Sequence, residues 1–288
     1  MFYKRGNSFV IAAAVCAILT ACGHLFAQQD KKLPKLTPEE LLTKHLASIG
    51  TSEAIAAAKD RVIVGQGFVS GGLGYVGRIG GPVQFASSGD MFLFALMLNS
   101  NDYPYEKLAY DGKDISTGKF STGGNTELGK FVRSNAGIAK RGLFGGVLSS
   151  AWPLLKMEKG EKVESVSLVT NNGVQLYKAK YSSPANGEMS VTLYFDAETF
   201  RHVMTEYKYQ IAPPQGGPII TEEQKPTYYT MTETFSDFKK VGSVVLPSHH
   251  LVDISIVEPT GSSSLKWSMT YSQFYFDQQL EKSVFKVS

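Results

Sequence analysis

Three features of this sequence have residue types that could do chemistry: a glycine-rich run, a Ser–Lys pair and two adjacent histidines. Residues 72 to 77 read Gly-Leu-Gly-Tyr-Val-Gly and match the GxGxxG spacing of a dinucleotide-binding loop. That loop works only where a helix opens at its end and directs its positive dipole at the pyrophosphate. Residues 78 to 82 contain two glycines and a proline and cannot start such a helix. The run therefore predicts a hairpin and no nucleotide site.

The other motifs also lack the context that their chemistry needs. Ser116 and Lys119 have the SxxK spacing of penicillin-interactive enzymes, but they lie among glycines and have no SDN or KTG companion. His249 and His250 are adjacent, so on a strand they point to opposite faces and cannot bind one metal ion together. No GxSxG or HExxH sequence is present. We therefore predict no catalysis, no metal and no cofactor, with an unrecognised hydrolase as the weakest alternative.

The N-terminus is typical of an exported protein. Lys4 and Arg5 precede an apolar run from Phe9 to Leu19 that is too short to span a bilayer, which needs roughly 20 residues. The sequence at its end, Leu19-Thr20-Ala21-Cys22, resembles the bacterial lipobox. We predict a signal peptide over residues 1–21, lipidation of Cys22, a tether over residues 22–36 and one domain over residues 37–288. The alternative is cleavage after Ala27, with Leu25 where a small residue is preferred.

The composition limits the class of protein. Cys16 and Cys22 are the only cysteines, so either cleavage leaves no internal disulfide, and the domain must be held by its core. With 288 residues and 43% hydrophobic residues, the chain can build one large core. Loss of Lys4 and Arg5 with the signal lowers the net charge from +3 to +1. That charge predicts no nucleic-acid partner.

Helix and strand signals follow in order along the chain. Thr37, Pro38 and Glu40 form the start of a capped helix that ends before Gly50, with His45 on its apolar stripe. From Arg61 onwards short, turn-punctuated strands predict an antiparallel sheet. Period-two alternation is clearest over residues 203–211 and 265–271, where His202 falls on the face opposite the apolar row of the first strand.

Two segments depart from this pattern. Residues 125–152 have helical spacing interrupted by five glycines, which predicts a weak, jointed helical pair. Their basic residues form either a solvated face or a contact with anionic lipid. The run from Met91 to Leu98 is apolar at every position, so it is either a strand enclosed between sheet and helix or a strand that lines an apolar cavity.

Four stretches resemble those of the LolA-like group of envelope lipoprotein carriers and lipid-binding lipoproteins. They are the helix start over Leu36 to Leu42, the strand Leu108 to Lys113 with its Asp-Gly-Lys turn, the hairpin Leu193 to Thr199, and the segment from Phe235 through Leu246-Pro247 to Phe285. The resemblance implies an α+β, mostly β fold: a strongly curved antiparallel sheet, or unclosed half-barrel, with an N-terminal helix and mid-chain lid helices. Its concave face would hold acyl chains.

We therefore expect an outer-membrane lipoprotein on the periplasmic side of a bacterial envelope. It would shelter the acyl chains of a lipid or lipoprotein beneath a lid formed by residues 125–152. The alternative is a structural or partner-binding envelope module whose core is filled by its own side chains. Because soluble carriers of the group have no anchor, Cys22 would make this chain a tethered member. The residues expected to line the cavity are Phe92, Phe94, Leu96, Leu143, Phe144, Trp152, Tyr207, Tyr229, Trp267 and Met269.

Overall fold

A computed structural model describes residues 33–71, 78–101, 103–118, 124–212 and 225–287. Outside these ranges lie the predicted signal peptide with Cys22, the GxGxxG run and Lys119, and so do the predictions made for them. In the part of the chain that is described, no helix has the length and apolarity to cross a membrane.

In the described residues, twelve antiparallel strands form a single sheet in the order β5-β4-β3-β2-β1-β12-β11-β10-β9-β8-β7-β6. Their bounds are β1 Arg61–Ser70, β2 Arg78–Ser88, β3 Met91–Met97, β4 Tyr105–Tyr110, β5 Ile115–Thr117, β6 Lys162–Asn171, β7 Val174–Ser182, β8 Ser190–Asp196, β9 His202–Ile211, β10 Thr227–Val241, β11 Val244–Glu258 and β12 Gly261–Phe276. The first and last strands pair in the middle of the sheet, with a bulge between Val64 and Gly65. The two edges, β5 and β6, do not pair with each other, so the sheet is an unclosed half-barrel, as the sequence predicts.

The helices are α1 Pro38–Ile49, α2 Ser52–Ala57, α3 Glu127–Ser134 and α4 Gly137–Lys140. The capping box of α1 is confirmed: the Glu40 amide donates to the Thr37 hydroxyl, and the Thr37 amide donates to the Glu40 carboxylate. This reciprocal pair satisfies two of the amides that a helix start leaves without partners. His45 is buried on the apolar stripe, also as expected.

Residues 126–155, called the plug below, lie on the concave face of the half-barrel. The plug comprises α3, α4 and two 3-10 turns over Gly146–Leu148 and Pro153–Leu155. Its apolar side chains, including Leu143, Phe144 and Leu148, are fully buried. The glycines predict a weak, jointed helical pair, and the expectation that such a segment packs loosely is wrong, because the glycines allow its backbone to approach the sheet closely. At Gly145, where φ is +83°, a Cβ would lie 2.5 Å from the ring of Phe85.

Local irregularities change two further expectations. A register shift between Tyr194 and Phe195 places His202 opposite Phe195 and turns it into the interior, although strict alternation puts it on the outer face. The sequences Asn172-Gly173 and Asn186-Gly187 are both typical of two-residue hairpin turns. The first forms such a hairpin, with φ values of +48° and +81°, whereas at the second a 3-10 turn over Pro184–Asn186 lengthens the connection between β7 and β8.

Candidate functional site

The interior of the half-barrel is where the residues expected to line a cavity come together. Nine of the ten are buried, each with no more than 1% of its surface exposed: Phe92, Phe94, Leu96, Leu143, Phe144, Trp152, Tyr207, Trp267 and Met269. Tyr229 is half-buried nearer the end of its strand, and its ring stacks on that of Tyr209 with centroids 4.7 Å apart. The expectation that these side chains line a ligand cavity stays a prediction.

Strand β3 shows which of its two apolar rows faces that interior. Phe92, Phe94 and Leu96 point inward and are fully buried, whereas Leu93 and Ala95 are half-exposed on the convex face. An open groove of about 670 Å³ on the convex face is lined by Leu93, Ala95 and Met97. This groove is separate from the interior, since none of the ten expected residues lines it.

An aromatic cluster joins the plug to the sheet. The ring of Phe144 lies 6.5 Å from Phe85, 6.0 Å from Phe92 and 5.5 Å from Phe94, measured between centroids. Burying a side chain of this size contributes about 1.5–3 kcal/mol relative to leaving it in water. Phe144 therefore fills the space between the plug and the inward-facing phenylalanine rings of β2 and β3.

Glu233 makes three hydrogen bonds, one of them to the middle of the plug and two to the surrounding sheet. The Gly145 amide donates to Oε1 over 2.8 Å, and His250 Nε2 lies 2.8 Å from the same oxygen. The Tyr207 hydroxyl lies 2.8 Å from Oε2 and 3.2 Å from the Leu143 carbonyl oxygen. Burial, with the nearby Glu233 carboxylate, raises the pKa of Tyr207 well above its ordinary value. The hydroxyl therefore stays protonated and available as a donor.

Glu106 holds the start of the plug. Its carboxylate accepts hydrogen bonds from Thr126 Oγ1, at 2.5 Å, and from the Tyr103 hydroxyl. The Trp267 indole N–H donates to the Tyr103 oxygen over 3.2 Å, so the cluster continues into the sheet. Burial raises the pKa of Glu106 to about 7, because a charged carboxylate loses its hydration here, although these hydrogen bonds oppose the shift.

Arg61 holds the end of the first 3-10 turn. Its Nη1 donates to the Val147 carbonyl over 2.6 Å and to the Leu148 carbonyl over 3.3 Å, and its Nε donates to the Ala58 carbonyl. Burial lowers the pKa of Arg61 to about 10, so the side chain is still charged near neutral pH. Arg61 is the only buried lysine or arginine in the described ranges, and the groups it binds here are backbone carbonyls.

Two histidines contact the last part of the plug. The Trp152 indole donates to His45 Nε2 over 3.1 Å, and His45 Nδ1 lies 3.2 Å from the Phe200 carbonyl. Since an indole N–H can only donate, His45 must be neutral with its proton on Nδ1. The ring of His202 stacks on Trp152 with centroids 4.5 Å apart, and its Nδ1 has no hydrogen-bond partner. Ser87 adds a further tie, accepting from the Ser150 amide over 3.0 Å.

The polar residues of this interior were not predicted as a set. Each lies in phase with an apolar row: Glu106 with Leu108, Arg61 with Ile63, Glu233 with Met231 and Phe235, and His250 with Val252. A charged residue at a buried strand position must be paired or hydrogen-bonded. A polar residue at the alternation of a buried apolar row is therefore the sequence signal that could have identified these four residues. His202 has no such signal, since its position depends on the bulge.

The chemistry available at this site is hydrogen bonding and apolar contact. The buried carboxylates are occupied by donors, and the described ranges contain no group of three His, Cys, Asp or Glu side chains placed to hold a metal ion. The arrangement is a set of buried polar side chains that hydrogen-bond the plug to the sheet around an apolar interior.

Comparisons with known proteins give matches at the level of structure alone. No protein-family model and no curated protein sequence matches the chain. A LolA superfamily protein of Nitrosomonas europaea matches with a TM-score of 0.45 and 11% identity, over 88% of this chain and 98% of that one. A putative outer membrane lipoprotein-sorting protein domain of Vibrio parahaemolyticus matches with a TM-score of 0.41 and 10% identity, over 85% and 94% of the two chains.

A third match is to the complex of MucA and MucB from Pseudomonas aeruginosa, with a TM-score of 0.22 and 8% identity, over 82% of this chain and 99% of that one. The first two matches are in the group that residues 37–288 resemble in sequence. All three TM-scores are below 0.5, so they carry no inference about what this chain binds.

Proposed function

We propose that this chain is a cell-envelope protein that binds the acyl chains of a lipid or lipoprotein inside the half-barrel, in the space that the plug fills, without covalent chemistry. The observation that supports this most is how the plug is held. Apart from its packing, it is tied to the sheet by separate hydrogen bonds from side chains such as Glu106, Glu233 and Arg61. Such ties can be broken without opening the β-sheet.

In this proposal the acyl chain replaces Phe144 and Leu143 against the inward row of β3. Each methylene group moved from water into the interior contributes about 0.8 kcal/mol, so a chain of 16 carbons more than offsets the packing lost by the Phe144 and Leu143 side chains, which is about 1.5–3 kcal/mol for each. The plug then serves as the lid that the sequence predicts, in its closed position. Three of its basic residues, Lys130, Arg133 and Lys140, lie on the exposed side.

Phe144→Ala tests this proposal, with Leu93→Ala as the matched control on the convex face. Removing the Phe144 ring weakens the closed plug by about 3–5 kcal/mol at most and leaves the aromatic wall of the sheet intact. We expect the purified full-length variant to carry more lipid than the unmodified protein, measured by mass spectrometry of organic extracts. Leu93→Ala should leave the lipid content unchanged.

A second candidate function is a partner-binding envelope module with a self-filled core. It is favoured by the burial of nine expected cavity residues in contact with the chain's own side chains. In that case neither the unmodified protein nor the Phe144→Ala variant carries lipid, and the variant only loses stability. Extracts free of lipid from both would therefore overturn acyl-chain binding and support this candidate.

We also propose that Cys22 carries a lipid anchor that holds the domain at the membrane. The proposal rests on the lipobox-like sequence Leu19-Thr20-Ala21-Cys22 at the end of the apolar run. Cys22→Ser should move the protein from the membrane fraction to the soluble fraction of the envelope. If the unmodified protein is already soluble and begins at Gln28, cleavage after Ala27 is the correct alternative.

A further inference from the structure

The last part of the plug is held by a hydrogen bond that works in only one protonation state. His45 Nε2 accepts from the Trp152 indole, and its Nδ1 faces the Phe200 carbonyl. A proton added to Nε2 would turn the acceptor into a donor that faces another donor. Because Trp152 belongs to the plug and His45 to α1, that proton would break the tie between them.

His202 places a second titratable ring against the same tryptophan. It stacks on Trp152 and lies 6.3 Å from His45 between ring centroids. Its Nδ1 is buried without a partner and lies 3.0 Å from the position that a Cβ on Gly146 would take. A charge on this ring would therefore be buried against the plug backbone, with the second histidine beside it.

We propose that acidification releases the plug from the half-barrel, because release opens His45 and His202 to water, where they take up protons that the closed interior excludes. The inference rests on the proposed function, in which the plug closes the acyl-chain site, and it makes that site open in acid. It does not require lipid to be present for its measurement.

The pKa values of the two histidines also favour release of the plug in acid. Burial lowers the pKa of His45 to about 4, although the hydrogen bond to Phe200 opposes the shift. Burial, with a smaller contribution from the charge of His45, lowers the pKa of His202 well below its ordinary value, although a hydrogen bond to the Met204 backbone opposes the shift. A histidine with a lowered pKa favours the closed plug fully above pH 6.5, and this contribution is lost as the pH falls toward the closed-state value.

Other charged groups face this part of the interior from the surrounding strands. Glu233 pairs with His250 and Tyr207, and Arg61 binds the plug carbonyls of residues 147 and 148. Glu106 is the group that opposes release. Its raised pKa favours the closed plug in acid and weakens it as the pH rises toward about 7. The release of the plug should therefore depend more steeply on pH in the Glu106→Gln variant, whose side chain cannot titrate.

The test is amide hydrogen exchange in residues 143–155 of the full-length protein without lipid, from pH 7.5 to pH 4.5, corrected for intrinsic exchange rates. In Glu106→Gln, protection should fall below pH 6.5 by up to about tenfold per pH unit for each histidine that takes up a proton on release. The unmodified protein should show a shallower fall.

The histidine variants assign the effect. His45→Gln with His202→Phe, in the Glu106→Gln background, should remove the acid-dependent loss of protection, and His45→Gln alone should remove part of it. His249→Gln is the matched control, because His249 lies on the convex face between Ser236 and Ser268, and it should leave the profile unchanged.

Two results would overturn the inference: protection independent of pH in Glu106→Gln, or an unchanged pH slope in the single variant His45→Gln. The single variant keeps the test decisive if the double variant does not fold. Acid release in a protein whose extracts contain no lipid would refute the proposed function alone. Lipid in the extracts with no acid release would refute this inference alone.

Discussion

Replacing Gly145 by alanine should destabilise the protein through two separable effects. Gly145 has a φ of +83°, and a left-handed conformation costs an alanine about 1–2 kcal/mol. In addition, the new Cβ would lie 2.5 Å from two ring carbons of Phe85. That ring stacks on Phe92 and Phe144 and cannot move away freely, so we expect a further overpacking cost of about 1–3 kcal/mol.

Gly173→Ala separates the two effects. Gly173 has a φ of +81°, close to that of Gly145, but no atom lies within 4 Å of its added Cβ, so only the conformational cost remains. Urea unfolding of both variants should show the Gly145→Ala protein to be less stable than the Gly173→Ala protein by about 1–3 kcal/mol. Equal losses in the two variants would refute the close packing of the plug against β2.

Two further predictions concern Glu106 and Arg61, which hydrogen-bond the plug to the sheet. Because the folded-state pKa of Glu106 is raised from 4.5 to about 7, its contribution to the free energy of unfolding falls between pH 4.5 and pH 7 by about 3 kcal/mol. The midpoints of urea unfolding, measured as a function of pH, should no longer show this decrease in the Glu106→Gln variant. The same pH profile in the variant and the unmodified protein would contradict the burial of an uncharged carboxyl group. Arg61→Met should speed amide hydrogen exchange over residues 146–152, because two buried carbonyl groups lose their hydrogen-bond donor, which costs about 1–3 kcal/mol for each. The control variant Arg133→Met, on the exposed side of α3, should leave this exchange unchanged. Similar exchange in both variants would refute the role given to Arg61.

Much of the sheet could be predicted because its signals are local. The row of Leu265, Trp267, Met269 and Tyr271 alternates with polar residues, and all four are buried. The Thr37–Glu40 capping box likewise depends on residues three positions apart. In such cases the period of the side chains and the chemistry of the helix end determine the structure.

The contacts of the plug could not be predicted in the same way, because they join distant parts of the chain. The amide of Gly145 binds a carboxylate 88 residues away, and Trp152 binds a histidine 107 residues away. The glycines of the plug suggested a loose segment from their helix propensity alone. Their actual effect is to let the backbone approach Phe85 and His202, which depends on what lies opposite.

The measurement that tests acyl-chain binding most directly is the amount of a fluorescent long-chain fatty acid bound by a protein whose plug can be locked. Ser87→Cys with Ser150→Cys places two thiols where the Ser87 hydroxyl now lies 3.0 Å from the Ser150 amide. If the fatty acid takes the place of the plug, the reduced protein should bind about one molecule per chain and the oxidised, cross-linked protein almost none. Equal binding before and after cross-linking would contradict the placement of the acyl chain inside the half-barrel.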